Sequence, residues 1–175
     1  MTIEIHDHDP AWAGSARRAV EELTTALPGL FGVVEHVGST AVPGLAAKPV
    51  IDLMAATATL DAVIEADELL GSLGYRRLET GMRGRLFYRR DGSPVAYHLH
   101  VVTADTWDTR NERLLRDHLL HSPADRGEYG ALKQRLAGAG HDGEAYTRAK
   151  TALIQRMVDA ARDARGLPRV DVWED

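Results

Sequence analysis

The amino-acid sequence predicts an α/β (α+β) fold in which a mixed β-sheet is flanked by helices and the C-terminal third is helical. Three patterns indicate this class. Short, partly β-branched runs lie at residues 33–37 and 50–56, a hairpin pattern spans residues 85–102, and helical spacing dominates after residue 105. The length of 175 residues and the apolar fraction of 44% are typical of a single domain, predicted to span residues 1–175.

The first half of the chain supplies a helix and two strands. Apolar residues recur at helical spacing from Pro10 to about Leu27, and the pattern ends at a Pro-Gly pair. A strand at residues 33–37 follows. The run from Val50 to Ala56 predicts a central strand, because it is short and apolar and is bounded by proline and polar residues.

The middle of the chain predicts one helix and three strands. Residues 60–73 have helical spacing that stops at a glycine, and residues 75–78 begin a strand. Strands at residues 85–89 and 95–102 flank the turn sequence DGSP, so they are predicted to form a hairpin.

The last third predicts three helices. The first runs from about Asp105 to Leu120, and the second begins at Ser122 and Pro123, with serine as the N-cap and proline in the first turn. The third runs from Glu144 to Ala164.

Asp52 is the only charged residue in the predicted central strand. A buried carboxylate loses much solvation, so it must be paired, coordinate a metal or lie at the open end of the strand. Upstream, Gly38, Ser39 and Thr40 supply closely spaced amides and hydroxyls that suit a phosphate group. The same three residues could equally form a tight turn whose hydroxyls satisfy the local backbone.

A Walker-type phosphate loop is excluded at this turn. Lys48 is followed by proline instead of serine or threonine, and the glycine spacing is wrong.

The second strand of the hairpin shows the clearest alternation in the sequence. Val95, Tyr97, Leu99 and Val101 share one face, so His98 and His100 point together to the other. There they could share a metal ion or a phosphate. The alternative is a pair of histidines that are hydrogen-bonded within a packed sheet.

Two Tyr-Lys pairs recur at i,i+4 spacing in the predicted C-terminal helices. They are Tyr129 with Lys133 and Tyr146 with Lys150. Each pair could present a phenol and an ammonium group to a nucleotide base and its phosphates. Solvated helix surface is the alternative interpretation.

Six arginines lie between residues 76 and 90, and strand alternation puts Arg85 and Arg89 on one face. A polyphosphate could use them. The alternative is a solvated face that is balanced by the acidic residues between positions 61 and 79.

The residues themselves resemble a known family. The run HVGSTAVPGLAAKPVID at residues 36–52 closely resembles the signature of the GrpB family of small bacterial proteins, and DPAW at 9–12, YHLHVV at 97–102 and YTRAK at 146–150 look like further landmarks. The resemblance covers nearly the whole chain. It implies a nucleotidyltransferase-like fold, also found fused behind some bacterial dephospho-coenzyme A kinases, and no settled activity.

That superfamily places a Gly-Ser pair at a helix start and three acids around two magnesium ions. Gly38, Ser39 and Asp52 match this pattern, whereas Met54 stands where the second acid is expected. A thioether is a poor ligand for a hard cation, so this position departs from the two-metal pattern. The strand expected to supply the third acid carries His98 and His100, which suit zinc or manganese better than magnesium.

The composition limits the kinds of chemistry and of binding partner that we expect. The absence of cysteine excludes thiolate nucleophiles, disulfides and zinc-thiolate sites. The net charge of -5 favours small partners over nucleic acid, although a local basic patch remains compatible with it. No apolar signal core or run of about 20 apolar residues is present, so we expect a cytoplasmic protein without a membrane partner. The sequence does not specify an oligomeric state.

Four hypotheses follow for function. The first, which we favour, is a metal-dependent nucleotidyltransferase-like enzyme in which Gly38 and Ser39 hold the phosphates of a nucleoside triphosphate and Asp52 binds the metal. The second is a module that binds a nucleotide without turnover. The third is a metal-dependent phosphoester hydrolase using Asp52, His98 and His100. The fourth is a structural or interaction domain, because a fold does not determine a function.

Overall fold

The computed structural model describes residues 3–139 and 143–173. Within them the chain divides into two compact units. The first unit contains residues 3–9, 38–49, 109–139 and 143–173, and the second contains residues 10–37 and 50–108. In these described residues, we find no helix with the length and apolar character needed to cross a bilayer.

The second unit is built on a five-stranded mixed sheet in the order β1-β2-β5-β4-β3. Its strands are β1 (Val33–Val37), β2 (Val50–Thr57), β3 (Arg76–Leu78), β4 (Arg85–Arg90) and β5 (Ala96–Thr103). β2 and β5 are parallel at the centre, and the other neighbouring pairs are antiparallel. The predicted strands and the predicted hairpin are confirmed.

The register determines which side chains share a face of the sheet. Asp52 lies opposite His98, and His98 lies opposite Arg89. Directly opposed residues point to the same side, so these three side chains belong to one face, which we call face A. The alternate residues, such as Leu53 and Leu99, form face B, where both are fully buried.

Face B packs against three helices, which are α1 (Ala11–Ala26), α2 (Leu60–Glu65) and α3 (Asp67–Ser72). Arg90 of β4 donates to Glu22 of α1 at 2.7 Å. Arg77 of β3 and Tyr88 of β4 both donate to the carboxylate of Asp67, which opens α3. The polar ends of face B are therefore fixed to the helices by carboxylates.

The prediction of one helix over residues 60–73 is wrong, since α2 and α3 are separated at Ala66. The two helices bury different apolar residues, Val63 and Leu70. Asp67, the first residue of α3, is bonded to β3 and β4, and these bonds fix the start of α3 independently of α2. The predicted end is correct, because Gly74 adopts a φ of 89° and Tyr75 donates to the carbonyl of Leu70.

One end of face A is closed by an apolar cluster. Met54 and Val102 are fully buried there beneath Trp107, together with Val37 and Ala56. Trp107 belongs to a 3-10 helix at Ala104–Thr109. Thus the residue that replaces the expected second acid is part of a hydrophobic core.

The first unit contains α4 (Asn111–His121), α5 (Pro123–Gly138) and α6 (Gly143–Asp163). The helix predicted from Asp105 is wrong in its start, because the 3-10 helix ends at Thr109 and Arg110 has an extended backbone before α4 begins. The predicted cap of α5 is confirmed, with Ser122 accepting from the amide of Asp125 at 3.4 Å.

Chain segments on both sides of α4–α6 are held by buried polar contacts. Arg162 of α6 is 4% exposed and donates to Asn111 and to the carbonyls of Thr109 and Pro168. The side-chain amide of Gln155 donates a hydrogen bond to the carbonyl oxygen of Val170 at 2.9 Å. The described part of the segment after α6 is therefore an ordered strap along that helix.

A carboxylate joins the three helices of this unit and makes its stability depend on pH. Asp125 of α5 lies 2.6 Å from His118 Nε2 of α4 and 3.3 Å from Arg156 of α6. The hydrogen bond from His118, and then the charge of Arg156, lower the pKa of Asp125 below its ordinary value of 3.8. The stabilisation is present above that value and lost as the pH falls through the lower folded pKa.

We therefore expect the urea midpoint to decrease as the pH falls below about 4. The Asp125→Asn variant should show a shallower decrease over the same range, because it lacks the group that titrates. An unchanged pH slope in Asp125→Asn would show that this carboxylate does not contribute.

Candidate functional site

The first unit contains the turn that the sequence singled out. Gly38 has a φ of 73°, a left-handed conformation that favours glycine. A short 3-10 helix, Ser39–Ala41, follows, in which Ala41 donates to the carbonyl of Gly38. Thr40 is 2% exposed, whereas Ser39 is half-buried. The turn thus buries one of its two hydroxyl side chains and leaves the other accessible.

Ser39 is engaged by a buried lysine of the same unit. Lys133 Nζ lies 2.6 Å from Ser39 Oγ, and the lysine side chain is only 2% exposed. An ammonium group this deeply buried requires polar or anionic neighbours to replace its hydration. The contact joins two positions that are far apart in the sequence and that were both predicted to bind phosphate.

Two tyrosine rings connect this lysine to the other two. Lys133 lies 4.5 Å from the ring centre of Tyr129, and Lys150 lies 4.5 Å from that of Tyr146. Lys150 also lies 5.9 Å from the Tyr129 ring, and Lys48 lies 4.8 Å from the Tyr146 ring. We call these five residues together with Ser39 the lysine cluster.

The basic residues of the chain are distributed unevenly. The sequence contains 3 lysines and 18 arginines, and all three lysines belong to the lysine cluster. Lysine presents a compact ammonium with three donors, whereas arginine presents a broad planar guanidinium. Lysine is therefore used in this chain only in the lysine cluster, and arginine supplies the positive charge elsewhere.

The tyrosines of the cluster are buried phenols. Tyr146 is 2% exposed and Tyr129 is 5% exposed. Burial, assisted by the neighbouring Tyr129, raises the pKa of Tyr146 well above its ordinary range. Tyr146 therefore stays protonated at physiological pH and presents its ring to the lysines as a neutral π surface.

The second unit brings together two of the predicted metal ligands. Asp52 Oδ1 lies 3.3 Å from His98 Nδ1, and both side chains are about 30% exposed. The Phe87 ring packs against His98 at 5.1 Å in an edge-on orientation and against His100 at 4.9 Å. His100 lies two residues after His98 in β5 and shares face A with it, as predicted.

The donors on face A do not form a complete metal cage. Across residues 3–139 and 143–173, no three histidine, aspartate or glutamate side chains are grouped closely enough to hold a metal ion. Met54 is fully buried, and the residue opposite it on β1 is Glu35. A cation at this face would have Asp52 and His98 as neighbouring protein donors and would need further oxygens from water or a ligand.

Arg85 occupies the same face, at the opposite side of β5 from Asp52. It lies opposite Val102 in the register, whereas Arg89 lies opposite His98. The predicted sharing of a face by Arg85 and Arg89 is confirmed.

The structure therefore divides the predicted site residues between two groups. The lysine cluster unites Ser39, both Tyr-Lys pairs and Lys48, and face A unites Asp52 with the two histidines. The packing of Phe87 against the histidines was missed from sequence. The pairing of Lys48 with Tyr146 was missed too, although the scarcity of lysine in the chain was a visible signal for it.

Comparison with known proteins gives several matches. A family model described as GrpB protein matches residues 2–160. UPF0157 protein PA4798 of Pseudomonas aeruginosa is 35% identical over 176 residues, which cover 96% of this chain and 71% of that protein. A match at 28% identity to UPF0157 protein YqkA of Bacillus subtilis covers 91% of this chain, which spans 47% of the length of YqkA.

A dephospho-CoA kinase of Mycobacterium bovis is 43% identical over 134 residues, covering 74% of this chain and 30% of the kinase. Among solved structures, conserved protein GrpB from Enterococcus faecalis aligns with a TM-score of 0.85 at 29% identity, covering 93% of this chain and 99% of that chain. The non canonical poly(A) polymerase complex GLD-2–GLD-3 aligns with a TM-score of 0.61 at 12% identity, covering 95% and 57%. At 12% identity the likeness concerns the fold alone.

Proposed function

This chain belongs to the GrpB family, within the nucleotidyltransferase-like superfamily, and we propose that it binds the phosphate groups of a nucleotide or another phosphorylated small molecule. The lysine cluster is the proposed phosphate site. The resemblance read from residues 36–52 is confirmed at the level of family and fold.

The observation that carries the proposal is the burial of Lys133 against Ser39 beside two further lysines. Ammonium groups that converge in a partly desolvated place repel one another, and a polyanion removes that repulsion. Phosphate oxygens accept short charge-assisted hydrogen bonds from ammonium and hydroxyl groups. The protonated Tyr146 lies beside the ammonium groups of Lys48 and Lys150 without adding a negative charge that would compete with the anion.

The names of similar proteins support a choice of ligands to test. The GLD-2 complex is named as a poly(A) polymerase, another fold neighbour is named as a terminal uridylyl transferase, and one relative is named as a dephospho-CoA kinase. ATP, UTP and dephospho-coenzyme A are therefore the first candidates. Inorganic tripolyphosphate tests whether phosphates alone suffice.

The proposal is tested by thermal shift with these four compounds and magnesium, manganese or zinc. A ligand at about 100 times its dissociation constant stabilises the folded state by about 2.7 kcal/mol, a shift that is readily measured. Direct observation is also available, because expression with lysine that carries carbon-13 at Cε labels only three side chains. We expect the bound polyanion to shift the three lysine resonances together.

Arg148→Gln is a matched control for charge. Arg148 is an exposed residue of α6 that pairs with Glu144, so the variant removes one positive charge outside the lysine cluster. It should bind like the wild type. A protein that responds to none of the four compounds, by either thermal shift or lysine resonances, would contradict the proposal.

A divalent metal is the finer part of the proposal, with Asp52 and His98 as its protein ligands. Two donors on one metal ion lie roughly 3.0–3.4 Å apart, given ligand distances of about 2.1 Å, and the observed separation of 3.3 Å fits. A nitrogen ligand favours zinc or manganese. Such an ion would supply charge neutralisation for phosphate chemistry.

Titration calorimetry with zinc and manganese alone tests this metal site. We expect Asp52→Asn to lose most of the heat of binding while the fold is retained. His100→Ala should weaken binding less, since His98 lies directly opposite Asp52 in the register whereas His100 lies opposite Met54. Metal binding that is equal in the wild type and in Asp52→Asn would exclude this carboxylate as a ligand.

Transfer of a nucleotidyl group in a cytoplasmic protein is the activity we propose, and hydrolysis of a phosphoester is the second candidate. The Asp52–His98 pair favours a catalytic role over a purely structural one, because it places a carboxylate and an imidazole together on an accessible face. Product analysis by chromatography after incubation with the ligand and manganese distinguishes the outcomes. Pyrophosphate release with the nucleoside monophosphate joined covalently to an acceptor indicates transfer, free nucleoside monophosphate or orthophosphate indicates hydrolysis, and unchanged ligand indicates a binding module.

A further inference from the structure

Arginines are concentrated on face A at the β3–β4 side of the sheet. Arg76 of β3 lies directly opposite Arg89 of β4, and Arg85 lies on the same face of β4. Like charges that are directly opposed across strands destabilise a sheet unless an anion lies beside them. Arg83, which is exposed, precedes β4 by two residues and adds a further positive charge at the end of this strand.

The arginines of the two faces have different surroundings. On face B, Arg77 is held by Asp67 and Glu79, and Arg90 is held by Glu22. These contacts give both side chains a structural role.

On face A, by contrast, Arg76 is exposed. Arg89 pairs with Asp91 at the surface, where the two side chains are 48% and 65% exposed. A surface ion pair of this kind contributes only about 0–1 kcal/mol, so a phosphate group could readily replace it. Arg76, Arg83 and Arg89 are therefore accessible to an external anion.

An aromatic side chain lies between the arginines of β4. Phe87 is half-buried on face A between Arg85 and Arg89, and its ring packs beside His98 and His100. Cations that follow a backbone, interleaved with rings on which bases stack, are the features by which proteins bind single-stranded nucleic acids. A free polyphosphate would contact the arginines and make no use of the ring.

We propose that face A over β3, β4 and β5 binds single-stranded nucleic acid, with arginines 76, 83, 85 and 89 on the phosphates and Phe87 stacked on a base. The chain carries a net charge of -5, so the binding is local and the rest of the surface repels the strand. This surface goes beyond the phosphate site of the lysine cluster.

The test measures fluorescence anisotropy of labelled twelve-nucleotide oligouridylate and oligodeoxythymidylate with the full chain, between 50 and 200 mM salt. The Arg76→Ala/Arg83→Ala variant should bind about tenfold more weakly at low salt. Its slope of log affinity against log salt should be smaller by about 1.4, since each lost phosphate contact contributes about 0.7 for a single strand. Both residues are exposed, so we expect the fold to be retained.

Phe87→Leu separates stacking from charge. It keeps an apolar side chain and removes the ring, so affinity should fall about fivefold or more while the salt slope stays unchanged. A thermal melt of the variant confirms that it is folded. A loss of affinity that comes with a changed slope would contradict the stacking role.

Arg17→Ala/Arg18→Ala is the matched control, because it removes the same charge from two exposed residues of α1 in the same unit. It should bind like the wild type. Equal losses in the two double variants, equal binding of a twelve-base-pair duplex, or no binding at about millimolar protein would each overturn the proposal. The Arg76→Ala/Arg83→Ala protein should bind tripolyphosphate like the wild type, so failure here and failure of the phosphate site are separate results.

Discussion

Replacing Lys133 with glutamine is expected to lower the affinity for ATP or tripolyphosphate by about 100-fold. Lys133 is 2% exposed and lies 2.6 Å from Ser39, so it would meet a bound phosphate in a poorly hydrated place. Removing one partner of a buried charged hydrogen bond typically costs about 2–5 kcal/mol of binding free energy. Titration calorimetry against the wild type and against Arg148→Gln provides the measurement.

The conservative variant makes this prediction more specific. Lys133→Arg keeps the charge but puts a broad planar group in a position that has little free space, so it should not restore binding. Thermal melts of both variants show whether the first unit is still folded. If folded Lys133→Gln binds these polyanions as tightly as the wild type, the lysine cluster is a structural feature and not a phosphate site.

The second large effect concerns the missing acid. Met54→Asp is expected to lower the free energy of unfolding by at least about 3 kcal/mol and to leave metal affinity unimproved. Met54 is fully buried in the apolar cluster with Val102 and Trp107. A carboxylate at this position would lose its hydration among apolar side chains that cannot compensate its charge.

Met54→Leu is the control, because it conserves volume and apolar character and should cost less than about 1.5 kcal/mol. Urea denaturation of the three proteins measures the difference, and zinc and manganese titrations measure any metal site. A Met54→Asp protein of normal stability with tighter metal binding would show that the position has kept the properties of a ligand site. In the structure, Met54 is instead part of the hydrophobic core.

Most of the sheet could be predicted from sequence, because its strands carry strong local signals. The alternation in β5 places His98 and His100 on one face of the sheet, independently of the residues that pack against the other face. The turn at residues 91–94 defines the hairpin of β4 and β5. The break between α2 and α3 gave no such signal. It involves neither glycine nor proline, and it accompanies the contacts of Asp67 with two distant strands.

The lysine cluster was predictable only in part. Each Tyr-Lys pair follows from i,i+4 spacing within one helix, which is a local property. The meeting of Lys133 with Ser39, and of Lys48 with Tyr146, depends on tertiary packing between segments that are far apart in the sequence. The face shared by Asp52 and His98 likewise depends on a parallel register that no local pattern specifies.

The central parallel pairing of β2 with β5 has a consequence for folding during synthesis. β2 leaves the ribosome well before β5, and α2, α3, β3 and β4 lie between them in the chain. The β4–β5 hairpin closes a short loop and can form quickly, whereas the pairing of β5 with β2 must close a long one. Until then the apolar β2 lacks one neighbour and is open to aggregation or to a chaperone, and the nascent chain cannot yet bring Asp52 to His98.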